Sequence, residues 1–135
     1  SEELRGTPRN SEEPSKPRVV AAVWALCAET DEEAMRLAAS SRMMFTLFFR
    51  GQLIPIPPVE KALRFLEQQP PSDDPFKTQR RAIVGAPATV RAGIEAAARE
   101  YEADEVMIVT ITYDHAARRR SYELIANEFA LTARR

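Results

Sequence analysis

Cysteine, histidine, tryptophan and glycine are scarce in this chain of 135 residues, which carries one, one, one and four of them. A single cysteine, Cys27, excludes an internal disulfide and fits a reducing compartment. His115 stands far from Cys27 in sequence, and no cluster has the spacing of metal ligands, so no metal is expected. So few glycines cannot build a phosphate-cradling loop, and neither a Walker loop nor a G-x-S-x-G turn occurs. No apolar run approaches the roughly 20 residues that span a bilayer. The opening Ser-Glu-Glu-Leu-Arg lacks the apolar stretch of a signal peptide. A soluble, cytoplasmic protein is the expectation. Charge of one sign is also missing: 19 basic and 20 acidic residues leave a net charge of −1. No field invites a nucleic acid or an anionic membrane, and neither is expected as a partner.

What is present is a length suited to one domain and 44% hydrophobic residues, enough for a packed core. The chain is organised around Asp104–Ala126. Two acids precede Val106-Met107-Ile108-Val109-Thr110-Ile111-Thr112, an apolar run that reads as a strand covered on both faces. A helical pattern follows to the end, with Tyr122, Ile125 and Phe129 as its inner stripe. Val19–Leu26 before Asp31–Phe49, and Ala82–Val84 before Pro87–Tyr101, repeat the strand-then-helix order. The expected architecture is therefore α/β, with parallel, adjacent strands near 19–27, 82–85 and 105–112. Helices are expected near 31–49, 58–68, 87–101 and 115–131.

Local signals sharpen this. Thr30-Asp31-Glu32-Glu33 is a capping box at a helix start. Behind it Ala34, Leu37, Ala38, Ser41, Phe45 and Phe48 share one helix face, and Met44, Leu47 and Phe49 widen it. Gly51 stops that helix. Leu53–Pro58 is an extended proline-rich crossing, and Val59, Ala62, Leu63 and Leu66 form a short amphipathic helix. Pro87 suits a first helical position, and Val90, Ile94, Ala97 or Ala98, and Tyr101 line the helix it opens. Residues 1–18, with Pro8, Pro14 and Pro17, read as a linker or extended tail. Gln68–Thr78, with three prolines and two acids, reads as a mobile loop.

Candidate chemistry is sparse. The acid pair Glu32-Glu33 is explained by capping, and Asp73-Asp74 and Asp104-Glu105 fall in turns. Arg118-Arg119-Arg120 lies in the first turns of the last helix, against its dipole. It could meet an anion, but pairing with nearby acids is the favoured reading. Trp24, on a strand, is favoured as a core residue.

Four stretches in order carry a resemblance: TDEEAMRLAASS (Thr30–Ser41), FTLFFRGQLIPIPPVE (Phe45–Glu60), VGAPATVRAGIE (Val84–Glu95) and ADEVMIVTITYDHAARRRSYELIA (Ala103–Ala126). Together they resemble the end of luciferase-like flavin-dependent monooxygenases. The resemblance implies the last three β/α units, about strands six to eight, of a (β/α)8 TIM barrel. Residues 19–135 would be its C-terminal part, with a mobile insertion around 50–80. It implies reduced FMN, or a deazaflavin, reacting with dioxygen to oxidise a small organic substrate, and a flavin reductase as a partner. It implies Phe45 beside the flavin ring, with Ser40 as a polar contact near it. The alternative is a truncated non-catalytic homologue acting as a structural or partner subunit. Three strands cannot close a barrel. The chain alone is therefore expected to lack flavin binding and turnover, and to self-associate or take the missing strands from a partner.

Overall fold

The computed structural model describes residues 18–70 and 82–133, with side chains to residue 130. It holds three strands, β1 (Val20–Cys27), β2 (Ala82–Gly85) and β3 (Glu105–Val109). Its four helices are α1 (Asp31–Phe49), α2 (Val59–Glu67), α3 (Pro87–Glu100) and α4 (His115–Ala133). The expected elements all form. The tail at 1–17, the pair Asp73-Asp74 and most of the loop at 68–78 lie outside the described residues.

All strand pairs are parallel, but their order is β2–β1–β3. β2 and β3 both neighbour β1 and not each other, whereas three successive barrel staves would each lie beside their sequence neighbour. The lengths explain how one strand serves both. Trp24–Cys27 pairs with β2, and Val20–Trp24 pairs with β3 on the opposite edge. The start of the β1–β3 pair is pinned by Asp104. Its backbone N–H donates to the Val19 carbonyl (2.8 Å) and its carboxylate accepts from the Val19 N–H (2.8 Å). That is a structural role for an acid pair with no sign of catalysis.

β3 ends at Val109, shorter than its apolar run. Three side-chain bonds replace the ladder at Thr110. Its N–H donates to the Tyr122 hydroxyl (3.1 Å), its own hydroxyl donates to the Ala25 carbonyl (2.7 Å), and the Arg118 Nε donates to its carbonyl (3.2 Å). The buried Ser121 hydroxyl likewise accepts the Cys27 N–H (2.9 Å). Helix α4 thus closes, through side chains, the part of the β1 edge that β3 leaves uncovered.

Strand alternation divides the side chains. Ala25 and Cys27 of β1, with Val106 and Ile108 of β3, meet Val90 and Ile94 of α3 and Leu124 and Ile125 of α4 in the main core. Fully burying a side chain of this size stabilises by roughly 1.5–3 kcal/mol. On the opposite face Val20 is 50% exposed and Met107 55% exposed. The expectation that β3 is covered on both faces is therefore corrected: Val106 and Ile108 are half-buried on the helix side, and Met107 is exposed on the other. The upper part of that open face is met by α1, whose outer side packs on α2 through Ala39, Met43 and Ala62.

The helix ends follow their sequence signals. Thr30 caps α1 by accepting the Glu33 N–H (3.1 Å). Gly51, at φ 87°, takes the left-handed conformation after the C-cap, where its N–H reaches the Phe48 carbonyl (2.9 Å). Pro87 opens α3. Phe48 and Phe49, placed with the inner face by their spacing, are instead 51% and 57% exposed, because α1 outruns the sheet it packs on. Among the described residues no helix is long and apolar enough to cross a membrane.

Candidate functional site

In parallel α/β sheets ligands gather at the carboxyl ends of the strands. The cleft found there opens between the sheet and α1. Trp24 and Leu26 of β1, Val84 of β2, and Val109 and Ile111 form its floor, and Ala38, Ser41 and Phe45 of α1 form its wall. Trp24 and Phe45 stack with ring centroids 4.4 Å apart and planes inclined by 18°, an offset arrangement that aromatic pairs favour. Phe49 lies 6.4 Å beyond Phe45, and Phe48 meets Phe49 edge-on at 5.7 Å. A row of rings therefore runs from the cleft to the outer surface. There Met44, Phe48, Leu53 and Ile54 bound a second hollow of about 250 Å³.

The two expected site residues are placed differently. Phe45 is half-buried and lines the cleft. Ser40 is fully buried, and its hydroxyl has no hydrogen-bond partner among the described residues. Five positions from Phe45 place it roughly 140° round the helix. Ser41, four positions from Phe45, is the serine in the cleft, and its hydroxyl donates to the Ala38 carbonyl (3.1 Å). Helical spacing already grouped Ser41 with Phe45. Trp24, favoured as a core residue, is half-buried against Phe45, and its alternation with Leu26 sets both on the cleft side of β1.

The remaining candidates are structural. Arg120 binds Glu29 (2.9 Å) and Glu123 (3.1 Å), and these bonds raise its pKa further above its ordinary value. Arg118 lies over the Tyr122 ring at 5.8 Å. His115 is exposed at the start of α4. Cys27 is 1% exposed; burial, reinforced by Glu29, pushes its thiol up to about 11. A thiol held protonated is a poor nucleophile. Among the described residues no three of His, Cys, Asp and Glu gather as a metal site.

The cleft is lined mainly by apolar and aromatic side chains. Its apolar rings suit the face of a conjugated ring system. Among the described residues no charged side chain lines it. Its enclosed space is about 20 Å³, room for a single water, so a ring system would lie against the mouth of the cleft and not inside it.

The chain is similar to proteins named luciferase-like monooxygenases. It is 29% identical over 112 residues to the luciferase-like monooxygenase of Escherichia coli (strain K12), a match covering 81% of this chain and 32% of that protein. It is 37% identical over 117 residues to the uncharacterized protein YwcH of Bacillus subtilis, covering 84% and 34%. Identity to the uncharacterized YvbT of the same organism is 33% over 126 residues, covering 88% and 37%. Among solved structures, apo-MsnO8 superposes with a TM-score of 0.76 at 32% identity, covering 86% of this chain and 36% of that one. The chain spans about a third of the length of the curated relatives it matches. No family model matches it.

Proposed function

We propose that this chain is part of a flavin-dependent monooxygenase of the luciferase-like kind, and that the Trp24–Phe45 surface is one wall of its pocket for flavin and a small organic substrate. The carrying observation is a half-buried aromatic pair at the carboxyl end of a parallel sheet, in a chain similar to a luciferase-like monooxygenase. Bound reduced FMN, or a deazaflavin, would supply the oxygen chemistry, and a flavin reductase would keep it reduced. The chain's own residues would exclude water and hold one face of the ring system. Phe45 and Trp24 would make the contact, and Ser41 would stand at its margin. Phosphate would be held by groups outside this cleft. In the same reading β1 and β3 are neighbouring staves of a (β/α)8 barrel, since they pair along five residues of β1. β2 then belongs to the connection between them.

A second reading is a non-catalytic homologue that serves as a structural or partner subunit. Among the described residues no cation lines the cleft, which favours it. The test begins with a titration of the chain with oxidised FMN, followed by flavin fluorescence and calorimetry, with oligomeric state from sedimentation. The chain alone is expected to show no low-micromolar binding, and one-to-one binding in that range by a monomer overturns that expectation. In a full-length relative, replacing the counterpart of Phe45 by Ala should weaken flavin binding about tenfold, and a loss of stability with unchanged flavin affinity overturns the placement and leaves the second reading.

A further inference from the structure

We infer that Asp31 is a positioning residue of the cleft, clasping the α1 wall to the β2 floor. The inference rests on reading the Trp24–Phe45 cleft as the ligand face. Two of the sequence stretches singled out above, Thr30–Glu33 and Val84–Glu95, are joined by the structure. The Asp31 carboxylate accepts the Ala86 N–H at 2.7 Å across 55 residues of chain. Ala86 is the N-cap of α3 and has no side chain to cap it. Asp31 therefore brings an anion from another element to the start of α3, where unpaired N–H groups and the helix dipole favour one. Its own helix does not need it there, because Thr30 already caps α1.

The approach depends on Gly85. A Cβ at that position would lie 2.7 Å from the Asp31 Oδ1 and 2.6 Å from the Thr89 Cγ2. The Ala28 N–H also reaches the Gly85 carbonyl (3.2 Å), which seats the turn on the end of β1. What the clasp holds is the cleft. Ala38, Ser41 and Phe45 follow Asp31 on α1, and Ala82 and Val84 precede Ala86 on β2. With the clasp open, α1 can lift from β2 and the Trp24–Phe45 stack loosens.

Trp24 is the chain's single tryptophan, so its fluorescence reports the cleft without any ligand. Acrylamide quenching of Trp24 is measured in the unaltered chain, Asp31→Ala, Asp31→Asn and Glu32→Ala, with thermal unfolding followed alongside. Asp31→Ala should raise the quenching constant about twofold and shift emission to the red while unfolding stays cooperative. Asp31→Asn, which keeps an acceptor oxygen, should restore the unaltered value, and Glu32→Ala should not move it. Quenching in Asp31→Ala equal to that in Glu32→Ala overturns the inference. Should Asp31→Ala fail to fold, hydrogen exchange of the Ala86 amide in the unaltered chain decides. Protection comparable with Ala25 supports the clasp, and exchange at the rate of an open loop overturns it. FMN binding has no part in these readouts, so failure of the flavin reading and failure of the clasp are distinct results.

Discussion

The two faces of the sheet take alternate residues of the same strands and end in different states. Toward α3 and α4, Val23, Ala25 and Cys27 are almost wholly buried, and the core is continuous through Val90, Ile94 and Leu124. Toward α1, Leu26 is buried, Trp24 half-buried, and Val20 half-exposed. One face is finished by this chain. The other is finished only at its carboxyl end, where Phe45 reaches Trp24. Burial that is complete holds the fold; burial that is partial leaves aromatic surface accessible. The comparison has consequences that can be measured.

The largest expected effect is on the finished face. Ile94→Ala removes a side chain that is 5% exposed inside the main core. It should cost about 2–5 kcal/mol, the range for a buried Ile that leaves a cavity, read as a lower urea midpoint. A loss under about 1 kcal/mol would mean that this core is as loose as the open face. Next is Gly85→Ala at the junction of the two faces. The added methyl meets Thr89 and Asp31 at 2.6–2.8 Å. Overpacking of that kind should cost about 1–3 kcal/mol, and Ser at the same site should be no better. Ordinary stability in Gly85→Ala would show that α1 moves freely against the β2–α3 turn.

Cys27 gives the finished face a pH signature. Its folded thiol pKa is raised from 9.0 to about 11 by burial. Between those values the folded chain binds more protons than the unfolded one, so stability falls as pH rises from 9.0 to about 11 and is untouched by this group below 9.0. Urea midpoints across that window should decline in the unaltered chain and decline less in Cys27→Ala. Equal slopes would place Cys27 in contact with solvent.

Sequence carried the element pattern well because its signals are local. Thr30 before three acids, Gly51 after Phe49, and Pro87 after Gly85 mark helix ends by capping and backbone geometry alone. Strand order was not legible. Which edge of β1 receives β2 depends on contacts made across the fold, such as Asp31 to Ala86. The length of β3 was overread, since Thr110 is as β-branched as its neighbours and leaves the ladder only because Tyr122 and Arg118 claim its backbone. In the cleft, periodicity was enough for Phe45 and Ser41. It could not show that Ser40 is fully buried while Ser41 lines the cleft, because helical spacing gives a direction only after the helix is set on the sheet.

The smallest expected effect is the sharpest test of the comparison. Met107 sits on the open face of β3 at 55% exposure, and Thr suits a half-exposed strand position. In a monomer Met107→Thr should therefore change stability by no more than about 0.5 kcal/mol, the usual range for a surface site. An edge-rich sheet with an uncovered apolar face has another course open to it, which is to associate with a second copy. In that state Met107 is covered, and the same substitution should lower stability by more than about 1 kcal/mol. The unfolding midpoint of the unaltered chain should then rise with protein concentration, as it must when association favours the folded form. Measuring both variants at two concentrations about a hundredfold apart separates the cases. A concentration-independent midpoint with a large Met107→Thr effect fits neither and would show that the open face is covered from within the chain itself.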